Sequence, residues 1–233
     1  MNSEKLILSI ITTTDPVTQK LPFLLESLSC LAQSRSEHYE VIIVDDLEQW
    51  KSKKHVEFTF PSLSVKPIQP KKKQGQLKAI LTGLQEAKAP LLLTIDPDLY
   101  PCVPEIPNMM KMINENIFAV HAVRSSRPGT SFFRLAGSVA INMLVRKITG
   151  LKVHDIGSPI TLFDRKVFSI LPLHPSSKNS NPRLQYYLRL NSKLTSYKLR
   201  QCSTSNGLSH YNLLQLIKTS YKLLESAMSL RKS

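Results

Sequence analysis

Apolar residues along this chain form two kinds of pattern, short dense runs and longer stretches with helical spacing, and the two kinds alternate. Dense runs at residues 6–11, 39–44 and 91–95 read as strands buried on both faces of a sheet. Between the first two, Phe23, Leu24, Leu28 and Leu31 recur at helical spacing, and Pro22 suits a first helical turn. Residues 77–87 place Leu77, Ile80, Leu81 and Leu84 on one helical face. Short strands at 56–60 and 65–68 fit the mixed stretch before it. Further on, the spacing predicts a helix over 106–113, a strand over 118–123 running into Arg124, and a long helix over 132–148 with Gly150 as its cap. A strand at 160–163, a Pro/Ser/Asn-rich loop at 172–182, a helix at 183–190 and a strand at 196–201 follow. A last helix, from about 211 to 230, could pack on the domain or lie in a membrane interface. Strands alternating with helices argue for a parallel sheet with right-handed crossovers.

Composition narrows the class. The chain has 233 residues, 42% hydrophobic and 21% charged, ordinary for a globular protein with a sizeable core. We read one domain, residues 1–233, with a first half (1–100) and a basic second half (101–233). No apolar run approaches the roughly 20 residues needed to span a bilayer, and the N-terminus lacks a signal-peptide layout. Cys30, Cys102 and Cys202 fit no zinc or disulfide spacing, so a reducing cytoplasmic compartment is expected. Charge is lopsided. Residues 1–110 carry 12 Lys/Arg against 13 Asp/Glu, a net −1, whereas residues 111–233 carry 19 against 4, a net +15. That asymmetry calls for an anionic partner, whether nucleic acid, phosphorylated substrate or an acidic membrane surface. With no recognised nucleic-acid fold or exposed aromatic motif, nucleic acid is set aside.

The candidate chemistry gathers at strand ends. Leu91-Leu92-Leu93-Thr94-Ile95 stops at Asp96-Pro97-Asp98, because Pro97 cannot donate to a sheet ladder. Acids at the carboxyl end of a buried strand stand where open α/β sheets bind ligands, and such a pair suits a hard divalent cation. The same pair could instead cap a solvated turn. Asp45-Asp46 ends the second run in the same way, again with acids at the carboxyl end of an apolar run. Asp155 could order its own turn or serve a site. Lys71-Lys72-Lys73 reads as a solvated loop, and His121, His154 and His210 have no metal spacing and receive no catalytic role. Neither G-x-G-x-x-G nor G-x-x-x-x-G-K-[ST] occurs, which argues against dehydrogenases and P-loop enzymes. There is no Ser/His/Asp or Cys/His arrangement either.

In order, these features resemble the family 2 glycosyltransferases of GT-A fold, closest to dolichol-phosphate mannosyltransferases and bacterial polyprenyl-phosphate glycosyltransferases. The matching pieces are the opening strand and helix, Tyr39-Glu40-Val41-Ile42-Ile43-Val44-Asp45-Asp46, the Gly75 loop and helix, and Asp96-Pro97-Asp98 on the D-x-D. Pro104-Glu105-Ile106-Pro107, Thr149 to Ser158 on T-G-x-x-V-x-D-x-x-S, and Gly207-Leu208-Ser209-His210-Tyr211 complete them. The resemblance implies an α/β fold with a mixed, mostly parallel central sheet flanked by helices. It implies an inverting, metal-dependent hexosyltransferase that moves sugar from a nucleotide-diphospho-sugar (GDP-mannose or UDP-hexose type) to a polyprenyl or dolichyl phosphate. The enzyme would be peripheral to an anionic membrane. It further implies Mg²⁺ or Mn²⁺ at Asp96 and Asp98, nucleotide-side contacts from Thr12, Asp45, Asp46, Gly75, Lys78 and Asp96, and catalytic roles for Asp98, Arg124 and Asp155. Arg127, Arg134 and Ser138, with Asn142 nearby, would meet the acceptor phosphate. Three departures stand out: Thr12-Thr13-Thr14-Asp15-Pro16 replaces P-x-Y-N-E, Tyr100 replaces a Gln, and Pro159-Ile160-Thr161 replaces G-F-R. They leave open a soluble transferase with another acceptor, or a catalytically weak relative that binds nucleotide sugar.

Overall fold

A computed structural model describes residues 5–14, 20–46, 59–70, 73, 75–124, 132–169, 182–200, 224–225 and 228. The elements, in chain order, are β1 (Leu6–Thr13), α1 (Leu21–Ser34), β2 (His38–Val44), β3 (Leu63–Ile68), α2 (Gln76–Glu86), β4 (Leu91–Thr94), α3 (Ile106–Met110), β5 (Ala119–Arg124), α4 (Phe132–Thr149), β6 (Thr161–Asp164), α5 (Pro182–Arg189) and β7 (Leu194–Leu199). Of the strand expected at 56–60, residues 56–58 lie outside the described residues and 59–60 are not in a strand; all but Pro182 of the loop at 172–182, and most of the helix at 211–230, also lie outside them. One sheet takes all seven strands in the order β3-β2-β1-β4-β6-β5-β7. Its pairings are parallel except along β6, which runs antiparallel to both β4 and β5. The mixed, mostly parallel sheet expected above is therefore observed.

Alternation along the strands explains why the apolar runs are so dense. Ile10 and Ile43 join a cluster with Leu24 and Leu28 of α1 and with Val103 and Ile106, while Ile11, Ile42 and Val44 face Ile80 and Leu84 of α2. Successive side chains point to opposite faces. Both faces are covered, so most positions are apolar, and the buried polar exceptions such as Ser9 and Glu40 are hydrogen-bonded. Val145 of α4 packs with Leu184 and Tyr187 of α5 and with Leu151 and Ile156 in a third cluster. Among the described residues, no helix is long and apolar enough to cross a membrane.

The amino end of the sheet is closed by polar bonds. The Ser9 hydroxyl donates to Glu40 Oε2 at 2.6 Å, and Lys88 N–H and Ala89 N–H donate to Glu40 and Ser9 at 3.0 and 2.9 Å. Arg165 donates to the carbonyls of Ala87 and Ala89. The buried Glu40 and Ser9 thus satisfy backbone groups of the α2–β4 turn, which burial would otherwise leave without partners. These bonds brace this end of the sheet.

After β4 the chain does not enter a helix directly. Pro97–Glu105 forms 3-10 turns, with Pro101 and Pro104 inside, and these lead into α3. Glu105 at their end accepts a hydrogen bond from the Tyr197 hydroxyl of β7, which together with Asn108 holds its carboxyl below the usual range. Cys102 corrects one expectation. It is disulfide-bonded, whereas Cys30 is free and exposed. Sequence spacing does not reveal a pair that only the fold brings together.

Gly83 is where α2 lies closest to the sheet. A Cβ built there would stand 2.5 Å from Ile11 Cγ2 and 3.2 Å from Val44 Cγ2. Both neighbours are stiff β-branched side chains. Gly83→Ala is expected to lower stability by about 1–3 kcal/mol, as overpacking does, despite the better helix propensity of Ala. A urea denaturation midpoint equal to or above that of the parent would contradict this close approach.

Candidate active site

The parallel strands β1, β2, β4 and β5 all release the chain at one edge of the sheet, and β6 enters at that same edge. The polar residues singled out above converge there. Asp45 is buried just after β2, with its N–H donating to Ile68 O at 2.8 Å. Its carboxylate accepts from the Thr14 hydroxyl at 2.9 Å, so the loops after β1 and β2 are joined at their bases. Thr12 lies one step inside β1. It is 1% exposed and its hydroxyl has no hydrogen-bond partner among the described residues. The structure places Thr12 within the sheet, not on the open rim.

The start of α2 links two of the strand-end acids. Asp46 Oδ2 accepts from the Gly75 N–H at 2.8 Å, and the Gln76 side-chain amide donates to Asp96 Oδ1 at 2.9 Å. Residues 75 and 76 therefore tie the acid after β2 to the acid after β4. The positive end of α2, with its first N–H groups, lies between them. Gly75 makes this possible because its φ of +85° with ψ of 152° is a conformation essentially reserved for glycine. Lys78 stands exposed on the next turn.

Asp96 and Asp98 are both half-buried, and the Asp96 carbonyl accepts the Leu99 N–H at 3.0 Å. Pro97 is buried between them. Tyr100, the residue found where the resemblance expects a Gln, turns the other way. Its ring stacks on Phe23 of α1, centroids 5.6 Å apart, and belongs to the α1-side core. Among the described residues, no three His, Cys, Asp or Glu side chains are grouped to hold a metal on protein atoms alone. Two carboxylates on one turn match a Mg²⁺- or Mn²⁺-like ion that completes its shell with water and substrate phosphate.

Beyond β6 the site changes sign. Arg124, at the end of β5, grips Asp155 through Nε to Oδ2 at 2.8 Å and Nη2 to Oδ1 at 3.0 Å. Two parallel bonds make this a strong, directional pair. Asp155 adopts a left-handed backbone, φ +51°, and its carbonyl accepts from Ser158 N–H at 2.8 Å. Arg124 and Asp155, expected as separate catalytic groups, are thus one unit. Ser138 lies on α4. Asn142, one turn on, donates to the Ser138 carbonyl at 2.8 Å and accepts from Ile156 N–H at 2.9 Å, which ties α4 to the Asp155 turn. Arg134 falls within α4 but its side chain is outside the described residues, and Arg127 is outside them altogether.

Sequence reasoning missed three side chains here. His121, Thr161 and Tyr187 are buried and hydrogen-bonded to one another beside Asp155. A lone His within an otherwise apolar strand was the one available signal. Nothing in the spacing showed that its partners stand 40 and 66 positions away.

Gly75→Ala and Gly137→Ala form a matched pair, since neither added Cβ meets an atom within 4 Å. Gly75→Ala is expected to cost about 1–3 kcal/mol for backbone strain alone. Gly137→Ala, inside α4, should instead add up to about 1 kcal/mol through helix propensity. Denaturation curves for both variants check the assignment; equal shifts would refute it.

Comparison with known proteins places these features. The family model described as Glycosyl transferase family 2 matches residues 12–171. The chain is 28% identical over 209 residues to undecaprenyl-phosphate 4-deoxy-4-formamido-L-arabinose transferase of Serratia proteamaculans (strain 568), covering 88% of this chain and 63% of that protein. The Shewanella sediminis enzyme of the same name is also 28% identical, with 88% and 62% covered. The chain therefore spans a little over three-fifths of the length of these curated relatives. Among solved structures, Mycobacterium tuberculosis glucosyl-3-phosphoglycerate synthase in complex with UDP superposes with a TM-score of 0.66 at 16% identity, over 97% of this chain and 80% of that one. A mannosyltransferase from Pyrobaculum calidifontis in complex with GDP-Man and Mn²⁺ gives 0.55 at 17% identity, over 96% and 69%. These structural likenesses show the fold.

Proposed function

Because this chain belongs to glycosyl transferase family 2, we propose that it transfers a sugar from a nucleotide-diphospho-sugar to a polyprenyl phosphate, with inversion, at a membrane surface. The observation that carries this reading is the bridge made by Gly75 and Gln76 between Asp46 and Asp96, which builds one acid-lined rim from two strand ends. The polyprenyl acceptor is supported by relatives whose names describe transfer to undecaprenyl phosphate.

Asp45 and Asp46 would receive the base and ribose of the donor. Asp96 and Asp98 would hold Mg²⁺ or Mn²⁺, an ion bound by the structural neighbour from Pyrobaculum calidifontis in the case of Mn²⁺. Such a cation, when bound, supplies Lewis-acid stabilisation of the departing diphosphate. Arg124, held by Asp155, brings a fixed positive charge to the same edge, and a guanidinium has five N–H donors of which this pair engages two. A phosphate acceptor is already ionised at neutral pH, so the chain needs no dedicated general base. Arg127, Arg134 and Ser138 would neutralise and orient that phosphate.

The membrane surface is supported by α4. Val139, Met143 and Leu144 are exposed by 54%, 64% and 43%. A cleft lined by Met143, Arg146, Lys147 and Lys152 lies at the end of the same helix. Apolar side chains beside cations suit an anionic lipid interface.

The test uses radiolabelled sugar nucleotides with Mn²⁺ or Mg²⁺, with and without undecaprenyl phosphate. Label should enter the organic phase only with the lipid and the metal, and a chelator should stop it. Asp98→Ala should lower transfer by about 100-fold or more, in line with the loss of a group that stabilises transition-state charge, while leaving the circular dichroism spectrum unchanged. Binding of nucleotide sugar without turnover would select the weak-relative reading instead. Separately, the protein should co-sediment with phosphatidylglycerol vesicles, less so as salt rises. Failure to bind at low salt would remove the membrane surface as partner.

A further inference from the structure

Three buried polar side chains lie behind the Arg124–Asp155 pair, each on a different element. His121 of β5 and Tyr187 of α5 are 0% exposed, and Thr161 of β6 is 2% exposed. His121 Nε2 is 2.9 Å from the Asp155 carbonyl oxygen. A carbonyl can only accept, so this nitrogen carries the proton. His121 Nδ1 is 2.8 Å from the Tyr187 hydroxyl and 3.1 Å from that of Thr161, and the two hydroxyls are 2.8 Å apart. With Nε2–H committed to the carbonyl, one hydroxyl can donate to Nδ1 and the other to its neighbour, an arrangement that suits the neutral Nε2–H form and holds the ring in place. The imidazole also packs at a tilt on the Tyr187 ring, centroids 5.1 Å apart.

The geometry points to His121 as a positioning residue for the proposed transfer, acting through Asp155 on Arg124, with Tyr187 and Thr161 holding its ring in place. Asp155 is held from two sides. His121 and Ser158 fix its carbonyl, and Arg124 takes its carboxylate. Its φ of +51° is sparsely populated by non-glycine residues, so the turn depends on these bonds. Removing the donor at Nε2 lets the turn relax, and Arg124 then loses the direction in which its guanidinium is held. Thr161 stands where the resemblance places an arginine, so a neutral hydroxyl network occupies that part of the site in this chain. The inference rests on the reading of Arg124 as a diphosphate- or phosphate-facing group, but its geometric half does not require that reading.

His121→Gln and His121→Asn separate the two ring nitrogens, because the Gln amide reaches the Nε2 position and the Asn amide only the Nδ1 position. In the full chain labelled with ¹⁵N, the Arg124 Nε–H signal should be slow to exchange in the parent and in His121→Gln, and should be lost or fast in His121→Asn. ¹⁵N shifts of His121 should report the Nε2–H form, and Tyr187→Phe, which keeps the ring shape but removes one hydroxyl partner of Nδ1, should speed exchange of the Nε2–H proton. These readouts need no substrate, so they stand even if the donor assay finds no transfer. With transfer in hand, His121→Asn should lower kcat by about 10- to 100-fold, as a small misplacement of a fixed charge does, with donor KM within twofold. Combined with Arg124→Ala it should lower kcat no further than Arg124→Ala alone, as expected of groups that act as one unit. Multiplying effects would overturn the inference, as would a parent-like Arg124 signal in His121→Asn or a His121→Gln variant as impaired as His121→Asn. Should His121→Asn not fold, an unchanged exchange rate of the His121 Nε2–H proton in Tyr187→Phe would overturn it equally.

Discussion

Strand β1 has both of its edges taken, by β2 and β4, and both of its faces covered, by α1 on one side and α2 on the other. A strand enclosed in this way has no room for chemistry along its length. Polar function must wait until the chain leaves the sheet, which for parallel neighbours happens at one edge. The strand-end candidates follow from that constraint. Thr14, Asp45, Asp46, Asp96 and Arg124 are the first polar residues reached when β1, β2, β4 and β5 end, and Gly75 and Gln76 are brought over them by α2. Thr12 shows the other side of the rule: two residues before Thr14, still in the ladder, it is sealed.

The elements were legible because strand and helix periods differ and because this sheet is buried on both faces. Dense runs such as Tyr39 to Val44 admit no other reading at that length, and Pro22, Gly75 and Gly150 mark helix ends by local backbone chemistry. The direction of β6 was not legible. Residues 160–163 look like any short apolar strand, and nothing local says whether such a strand enters between β4 and β5 or from which side. Strand order is a property of contacts far apart in the chain, here between residues 91–94, 119–121 and 161–164.

The site shows the same division. Acids at strand ends were visible, and so was the resemblance that orders them. Their coupling was not. That Gln76 holds Asp96, and that Arg124 is spoken for by Asp155, are facts of reach and angle. Tyr100 is the clearest case. By position it replaces a ligand-side Gln, yet the 3-10 turns that Pro97 and Pro101 impose carry its ring to Phe23 on the opposite face. A substitution that reads as loss in the sequence is, in the folded chain, a packing contact elsewhere.

The placement of β6 also sets an order of events during folding. Four residues, Thr161–Asp164, join β4 to β5 and so connect the β3-β2-β1-β4 part of the sheet to β5 and β7. Until they are made, β4 and β5 each present a line of unpaired backbone groups, which is the surface that recruits other chains into aggregates. A growing polypeptide shorter than about 165 residues therefore carries one four-stranded sheet with β4 as an open edge and a β5 whose neighbours, β6 and β7, are still to come, and the pairings that join them are long-range and form slowly. The strand that completes the architecture is also the one that retires its most hazardous surface, and it arrives late.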